Sequence, residues 1–408
     1  MLVVVADDGG RAPPHGAGCC FAAPGEEIEQ GCLPRTVRSD DPEAGTRPEH
    51  EVDAPQYRRT PGQVVADPVT GEDGRRWRLP RIEGVRYVEA AGARVSVIGL
   101  GTWQFGAREW GYGERYAREV APAIVTRALE LGINLIDTAE MYGFGRSERI
   151  VGAALGERRD AAFVATKLLP LVPVPPVVEW RAVESAARLR VSTMDLYQIH
   201  WPNPVFGVAR PMPALERLQR IGLVRHVGVS NHSLAQWRVA EEALGAPVLS
   251  NQVEYSLAAR SPGDELARFA AQHDRLVIAY SPLAQGLLSG SYGVTHVPAR
   301  AVRRANALFL PENLERCGEL LAALRSIAAA RGATPAQVAL AWLIRRPNVV
   351  AIPGASSVAQ LEANAAAADL ELSEEDDREL SAASARFAPR RGARARLELL
   401  RPRRPGRG

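Results

Sequence analysis

Lysine is almost missing from this chain. It occurs once in 408 residues, at Lys167, although Lys and Arg together number 50, so the other 49 are arginine. An Arg cannot give up its proton in a protein, whereas a partly buried Lys shifts its pKa readily. A composition that favours arginine wherever either cation serves therefore draws attention to the one site that kept lysine. Cysteine is scarce too. Cys19, Cys20, Cys32 and Cys317 have neither disulfide nor metal spacing, which fits a reducing compartment, so a cytoplasmic protein is expected. No apolar run reaches the roughly 18 residues of a membrane span. The start, MLVVVADDGG, lacks the basic flank of a secretory signal. A net charge of +3 selects no charged partner.

What is present, 46% hydrophobic and 24% charged residues, suits a globular chain with a large core. Residues 1–80 are rich in Pro, Gly and charge without periodicity and read as a disordered, low-complexity extension. Residues 389–408 hold eight arginines and no aromatic residue. They read as a solvated, disordered tail rather than a nucleic-acid surface.

Between these tails, in 81–388, strand-like and helix-like segments alternate. RYVEAAGARVSVIGL suggests an N-terminal β-hairpin running into a first strand. The runs LIDT, AFVATK, MDLYQIH, VRHVGVSN, VLSNQV, LVIAYS and VVAIPG follow, separated by helical patterns. Pro122 opens one helix with Ile124, Ala128 and Leu131 on a stripe and Gly132 at its stop. Thr334–Gln337 and Ser357–Gln360 read as capping boxes. Eight strands, each followed by a helix, over about 300 residues favour an α/β chain folded as a (β/α)8 TIM barrel over an open doubly wound sheet. GLGTWQ, GYGERY and GFGRSE each lack the last glycine of a dinucleotide fingerprint.

In such a barrel the C-terminal strand ends meet on one face. Asp137 ends the second strand and Tyr142 lies on its loop, in NLIDTAEMYGFGRSE; Lys167 ends the third strand and His200 the fourth. Singly, these read as a helix cap, a packing aromatic, a rim charge and a core histidine. Together, from three adjacent strands, they suit chemistry on a carbonyl. A lysine paired with an aspartate keeps its charge in a dry pocket. That cation should lower the phenol's pKa and ease proton donation near neutrality. His200 can hydrogen-bond the reacting oxygen, and a hydride must come from elsewhere.

GLGTWQFG, NLIDTAEMYG, VATK, DLYQIHWP, GVSN, NQVEYS, YSPLAQGLLSG and IPGASS occur in that order across about residues 84–387. In this the chain resembles the aldo-keto reductases. The resemblance implies NADP(H)-dependent reduction of a small aldehyde or ketone, without metal, by a tetrad of Asp137, Tyr142, Lys167 and His200 with Tyr142 as the acid. It implies that Ser230, Asn231 and Gln252 hold the nicotinamide carboxamide, that Tyr280 stacks on the ring, and that Thr102 and Trp103 flank it. Ser281, Pro282, Leu283, Ala284 and Gln285 would line the pyrophosphate side, and Gly354, Ser356, Gln360 and Asn364 the adenosine phosphate, at a helix N-terminus suited to anions; capping alone also accounts for this last group. Gly-Ala-Ser at 354–356 departs from the basic residues many members carry, and resembles the branch that contains potassium-channel β subunits. Ser291 stands where a lysine often follows "SG", with Arg304 as the substitute the loop offers. NADP(H) is thus expected before NAD(H). The alternative reading is a cofactor-holding regulatory subunit of slow turnover. Trp110, Trp201 and the stretch 107–117 suggest an aromatic substrate wall; the substrate and the oligomeric state are left open.

Overall fold

Short runs of two to seven residues become the staves of a closed cylinder. The computed structural model describes residues 85–106, 110–293 and 300–390, with positions 69, 70, 76, 77, 296, 298 and 395. An antiparallel hairpin of β1 (Tyr87–Ala90) and β2 (Ala93–Ser96) comes first. The eight cylinder strands are β3 (Leu100–Gly101), β4 (Leu135–Asp137), β5 (Phe163–Leu168), β6 (Met194–Ile199), β7 (Val224–Ser230), β8 (Ser250–Glu254), β9 (Leu276–Tyr280) and β10 (Val349–Ala351). Each pairs in parallel with the next. Parallel bridges Ile98–Ala351 and Gly101–Gly354 join the first strand to the last, with Ala351 N donating to Val97 O at 2.9 Å. The sheet therefore has no open edge, as expected of a (β/α)8 barrel.

Parallel strands covered by helices outside and side chains inside read as continuous apolar runs, and every residue of β5 and β6 is buried. Leu135, Phe163, Ala165, Leu196, Ile278 and Val350 fill the interior, and Ala90, Ala93 and Val95 of the hairpin join them. Side chains alternate along a strand. Lys167 thus follows Ala165 on the inward row of β5, Gln198 and His200 follow Leu196 on β6, and Asp137 follows Leu135 on β4. The outer row packs on the helices: Val164, Tyr197 and Val227 lie in one cluster with Ile124, Val151, Val178 and Leu215.

Helix boundaries follow their chemistry, with one departure. Thr334 and Gln337 form the expected reciprocal box at the start of Pro335–Ile344. Ser357 Oγ accepts from Gln360 N at the start of Val358–Ala365, but the Gln360 side chain does not return the bond. Its Oε1 accepts instead from the Ser356 N–H at 2.8 Å and the Ser356 hydroxyl at 2.9 Å, so half of that box is lost to a nearer pair of donors.

The expected extension 1–80 lies outside the described residues, apart from a short ladder pairing Val69–Thr70 with Arg76–Trp77. Of the tail 389–408, only positions 389, 390 and 395 are described. Among the described residues no single helix is long and apolar enough to cross a membrane.

Candidate active site

The strand ends bring Asp137, Tyr142, Lys167 and His200 together at one mouth of the barrel. Lys167 is fully buried and uses its ammonium in three directions: to Asp137 Oδ1 at 2.6 Å, to the Thr138 carbonyl at 2.8 Å and to the Tyr142 hydroxyl at 3.2 Å. Three donors on a compact head match three acceptors, which a planar five-donor guanidinium does not. Gln252 donates its amide N–H to the other carboxylate oxygen, Asp137 Oδ2, at 2.7 Å. The Tyr142 ring stands between Trp103, centroid 6.4 Å away, and His200, 5.9 Å away and nearly perpendicular.

The loop that carries Tyr142 is held at both ends. Gly143, Phe144 and Gly145 all take left-handed backbone, with φ of 59°, 53° and 78°. A Cβ on Gly143 would come within 2.3 Å of the Gly106 carbonyl oxygen, so this position needs glycine. Beneath the loop, the hydroxyls of Thr102, Thr138 and Ser147 bond one another at 2.8 and 3.0 Å. Glu140, between Asp137 and Tyr142, accepts from Leu169 N and from Arg181.

Burial governs the ionisation of the set. For Lys167 desolvation works against the ammonium, but attraction from Asp137 and Tyr142 outweighs it and raises the pKa above the ordinary value. Tyr142 departs from expectation. Its phenol pKa is raised, because burial and then Asp137 outweigh the pull of Lys167. The hydroxyl is therefore held protonated, and Lys167 moderates the rise rather than reversing it. The His200 imidazole is pushed down to about 3 by burial and by repulsion from Lys167. It is a neutral ring, and its Nδ1 has no hydrogen-bond partner among the described residues.

The expected cofactor side of the mouth divides into two parts. Ser230 donates to the Gln252 carbonyl at 2.8 Å, the Asn231 amide reaches the His200 carbonyl and Ser230 Oγ at 3.1 Å each, and the Tyr280 hydroxyl donates to Asn231 Oδ1 at 2.9 Å. These residues form one hydrogen-bonded chain beside His200. Ser281, Ala284 and Gln285 take left-handed backbone with φ of 48°, 48° and 56°; for residues other than glycine this is strained, and such strain concentrates at functional segments. Thr102 is fully buried, its hydroxyl donating to the Asp137 carbonyl at 2.8 Å within the hydroxyl cluster. Arg304 is exposed, and the arginine that reaches the 281–285 segment is its neighbour Arg303, whose Nε donates to the Gln285 carbonyl at 2.8 Å. Gly354 lies on the barrel seam against the Gln104 side chain, and Asn364 is buried in its helix.

A model of the Aldo/keto reductase family matches residues 97–385. The chain belongs to the aldo/keto reductase family. It is 53% identical over 318 residues to an uncharacterized oxidoreductase of Mycobacterium tuberculosis, covering 78% of this chain and 98% of that protein. It is 33% identical over 280 residues to the methylglyoxal reductase YeaE of Escherichia coli, covering 68% and 87%. A crystal structure of an aldo-keto reductase from Klebsiella pneumoniae in complex with NADPH superposes with a TM-score of 0.61 at 30% identity, covering 76% of this chain and 98% of that one.

Three features of this aldo/keto reductase's site had no usable signal in the sequence. The Thr138 carbonyl is backbone, Ser147 looks like any helix-start serine, and Arg303 differs from Arg304 only in the direction it points. The histidines give a pH dependence. His232, buried with Nδ1 2.8 Å from the Ser230 carbonyl oxygen, is pushed down to about 4, chiefly by burial. Both rings stay neutral in the fold at pH values where an unfolded histidine, with a pKa near ~6.5, is already charged. The unfolded chain then binds more protons, so stability falls as pH drops from about 6.5 toward 4, by at most about 1.4 kcal/mol per pH unit for each group. Urea unfolding across that range checks this; His200→Gln should lose less on acidification than the wild type.

Proposed function

We propose that this chain reduces an aldehyde or ketone to an alcohol using NADPH, with Tyr142 as proton donor, Lys167 and Asp137 setting its acidity and His200 orienting the carbonyl oxygen. The carrying observation is the fully buried Lys167 ammonium, bonded at once to a carboxylate at 2.6 Å and to a phenol at 3.2 Å. A cation kept in a dry site at the expense of desolvation is a device for holding negative charge where it appears. Tyr142 gives its proton to the carbonyl oxygen and keeps the electron pair as phenolate beside Lys167. The neutral His200 ring offers that oxygen a hydrogen bond without competing as an acid.

The residues fit a nicotinamide dinucleotide. A reduced nicotinamide held there would supply the hydride that the carbonyl carbon needs. Ser230, Asn231 and Gln252 give the mixed donors and acceptors a carboxamide needs, and Tyr280 offers a ring face. The Gln285 Oε1, buried without a partner among the described residues, lies on the strained segment assigned to the pyrophosphate. Gln360 and Ser356, at the start of Val358–Ala365, are placed for an adenosine phosphate. Gly-Ala-Ser at 354–356 offers that phosphate no basic partner, which leaves NAD(H) as the competing cofactor. Trp103 and Trp110 meet edge-on at 5.1 Å and Trp201 packs on His200 at 4.9 Å, giving the mouth an aromatic wall.

Mixing the protein with NADPH and a panel of aldehydes, ketones and short dicarbonyls, and following the reduced-nicotinamide absorbance, tests the reading. Consumption with at least one carbonyl is expected. Tight NADPH binding with no consumption across the panel would instead identify a cofactor-holding subunit.

A further inference from the structure

Inside the barrel, directly beneath the four site residues, sits a buried amide whose N–H groups have no close partner. Gln198 lies on the inward row of β6, two residues before His200 and opposite Lys167 in the register with β5. It is fully buried. Its Oε1 accepts from Ser250 Oγ at 3.3 Å, while its Nε2 has no hydrogen-bond partner among the described residues. Room has been made for it. A Cβ on Gly228 of β7 would stand 2.5 Å from Ser250 Oγ and 2.9 Å from Gln198 Cγ. A buried N–H without a close partner destabilises a fold, and leucine or methionine would fill the space without that penalty. Its amide nonetheless acts on Asp137, whose carboxylate it favours.

We propose that Gln198 is a positioning residue for the acid: a reserve donor for Asp137 in the state where Tyr142 has lost its proton. The inference rests on the reductase reading above. Before the reaction Lys167 faces one full negative charge, on Asp137. Afterwards it faces two, and its ammonium is drawn toward the phenolate. Asp137 then keeps Gln252 on Oδ2 but loses part of its donor on Oδ1. The free Nε2 hydrogens of Gln198 compensate there, in a medium of low polarity where a hydrogen bond to an anion is strong. At rest its pull on Asp137 is weak, which is why Nε2 has no close partner in the resting structure. Such an interaction accelerates the chemical step without tightening binding.

Gln198→Met keeps the volume and removes the donor. It should melt at a higher temperature than the wild type, because the unpaired amide is gone. Its kcat should fall roughly 10- to 100-fold, the range for a hydrogen bond to a charged group, with an unchanged Kd for NADPH. Gln198→Glu also removes the donor, sets a second acceptor near Asp137, and should lose at least as much. Lys167 supplies a readout independent of turnover. Being the chain's one lysine, it gives a single ε-ammonium resonance in protein labelled with nitrogen-15 lysine. That resonance should move in Gln198→Met as Asp137 draws the ammonium closer. A Met variant with wild-type kcat, or one that loses stability and turnover together, overturns the proposal. So does an unmoved lysine resonance, whatever the turnover. A moved resonance in a protein that reduces no carbonyl overturns the reductase reading and leaves the coupling of Gln198 to the ion pair in place.

Discussion

Replacing Tyr142 by phenylalanine should lower carbonyl reduction roughly 100- to 10,000-fold, the range over which a positioned general acid contributes. The Kd for NADPH should stay close to that of the wild type. The substitution is conservative in packing, because the ring keeps its place between Trp103 and His200. Only the hydroxyl that meets Lys167 at 3.2 Å disappears. Without it the nearest candidate donor, the Lys167 ammonium, is committed to Asp137 and the Thr138 carbonyl. Single-turnover measurement of NADPH consumption, beside equilibrium binding of NADPH, separates chemistry from affinity. Turnover at the wild-type rate would remove Tyr142 from the mechanism.

The second large effect concerns stability. Lys167→Met should destabilise the fold by about 3–5 kcal/mol, because it leaves the Asp137 carboxylate buried with only neutral amides as its remaining side-chain donors. Asp137 is 1% exposed, so water cannot take the place of the ammonium. The double variant Lys167→Met with Asp137→Asn should recover much of the loss, since no uncompensated charge is then buried. Urea unfolding of the two single variants and the double variant gives the coupling directly. A double variant as unstable as the sum of the singles would show that the two side chains do not stabilise each other. Lys167→Arg retains the charge but brings a wider, rigid head to a site with three closely placed acceptors. It should fold and reduce carbonyls poorly; full activity would remove the reason for lysine here.

Most of the barrel was legible because its strands are short apolar runs at regular intervals, and inward residues two apart share a face. That alternation sufficed to bring Asp137, Lys167 and His200 to one mouth, and the single lysine marked which mouth mattered. The resemblance supplied residues that periodicity alone does not pick out, such as Gln252 and Tyr280. Local rivalry between hydrogen-bond partners was less legible. Ser357 and Gln360 have the spacing of a capping box, yet Ser356 takes the glutamine. Thr102 has the chemistry of a ligand-binding residue, yet the hydroxyls of Thr138 and Ser147 enclose it. The acidity of Tyr142 depends on how much desolvation opposes one cation, a balance set by packing that residue types do not disclose. The Nε2 of Gln198, which has no close partner, is the same kind of fact: whether a glutamine in DLYQIHWP is satisfied depends on packing.

The burial of Lys167 has a chemical corollary for the exterior of the molecule. Since it is the sole lysine and none of it is exposed, no ε-amine meets solvent. Simple aliphatic aldehydes, which damage proteins by imine formation on such amines, find none to attack there. Glutaraldehyde and amine-directed acylating dyes should likewise leave the folded barrel unmarked at lysine, and reaction at that side chain should begin only once the chain unfolds.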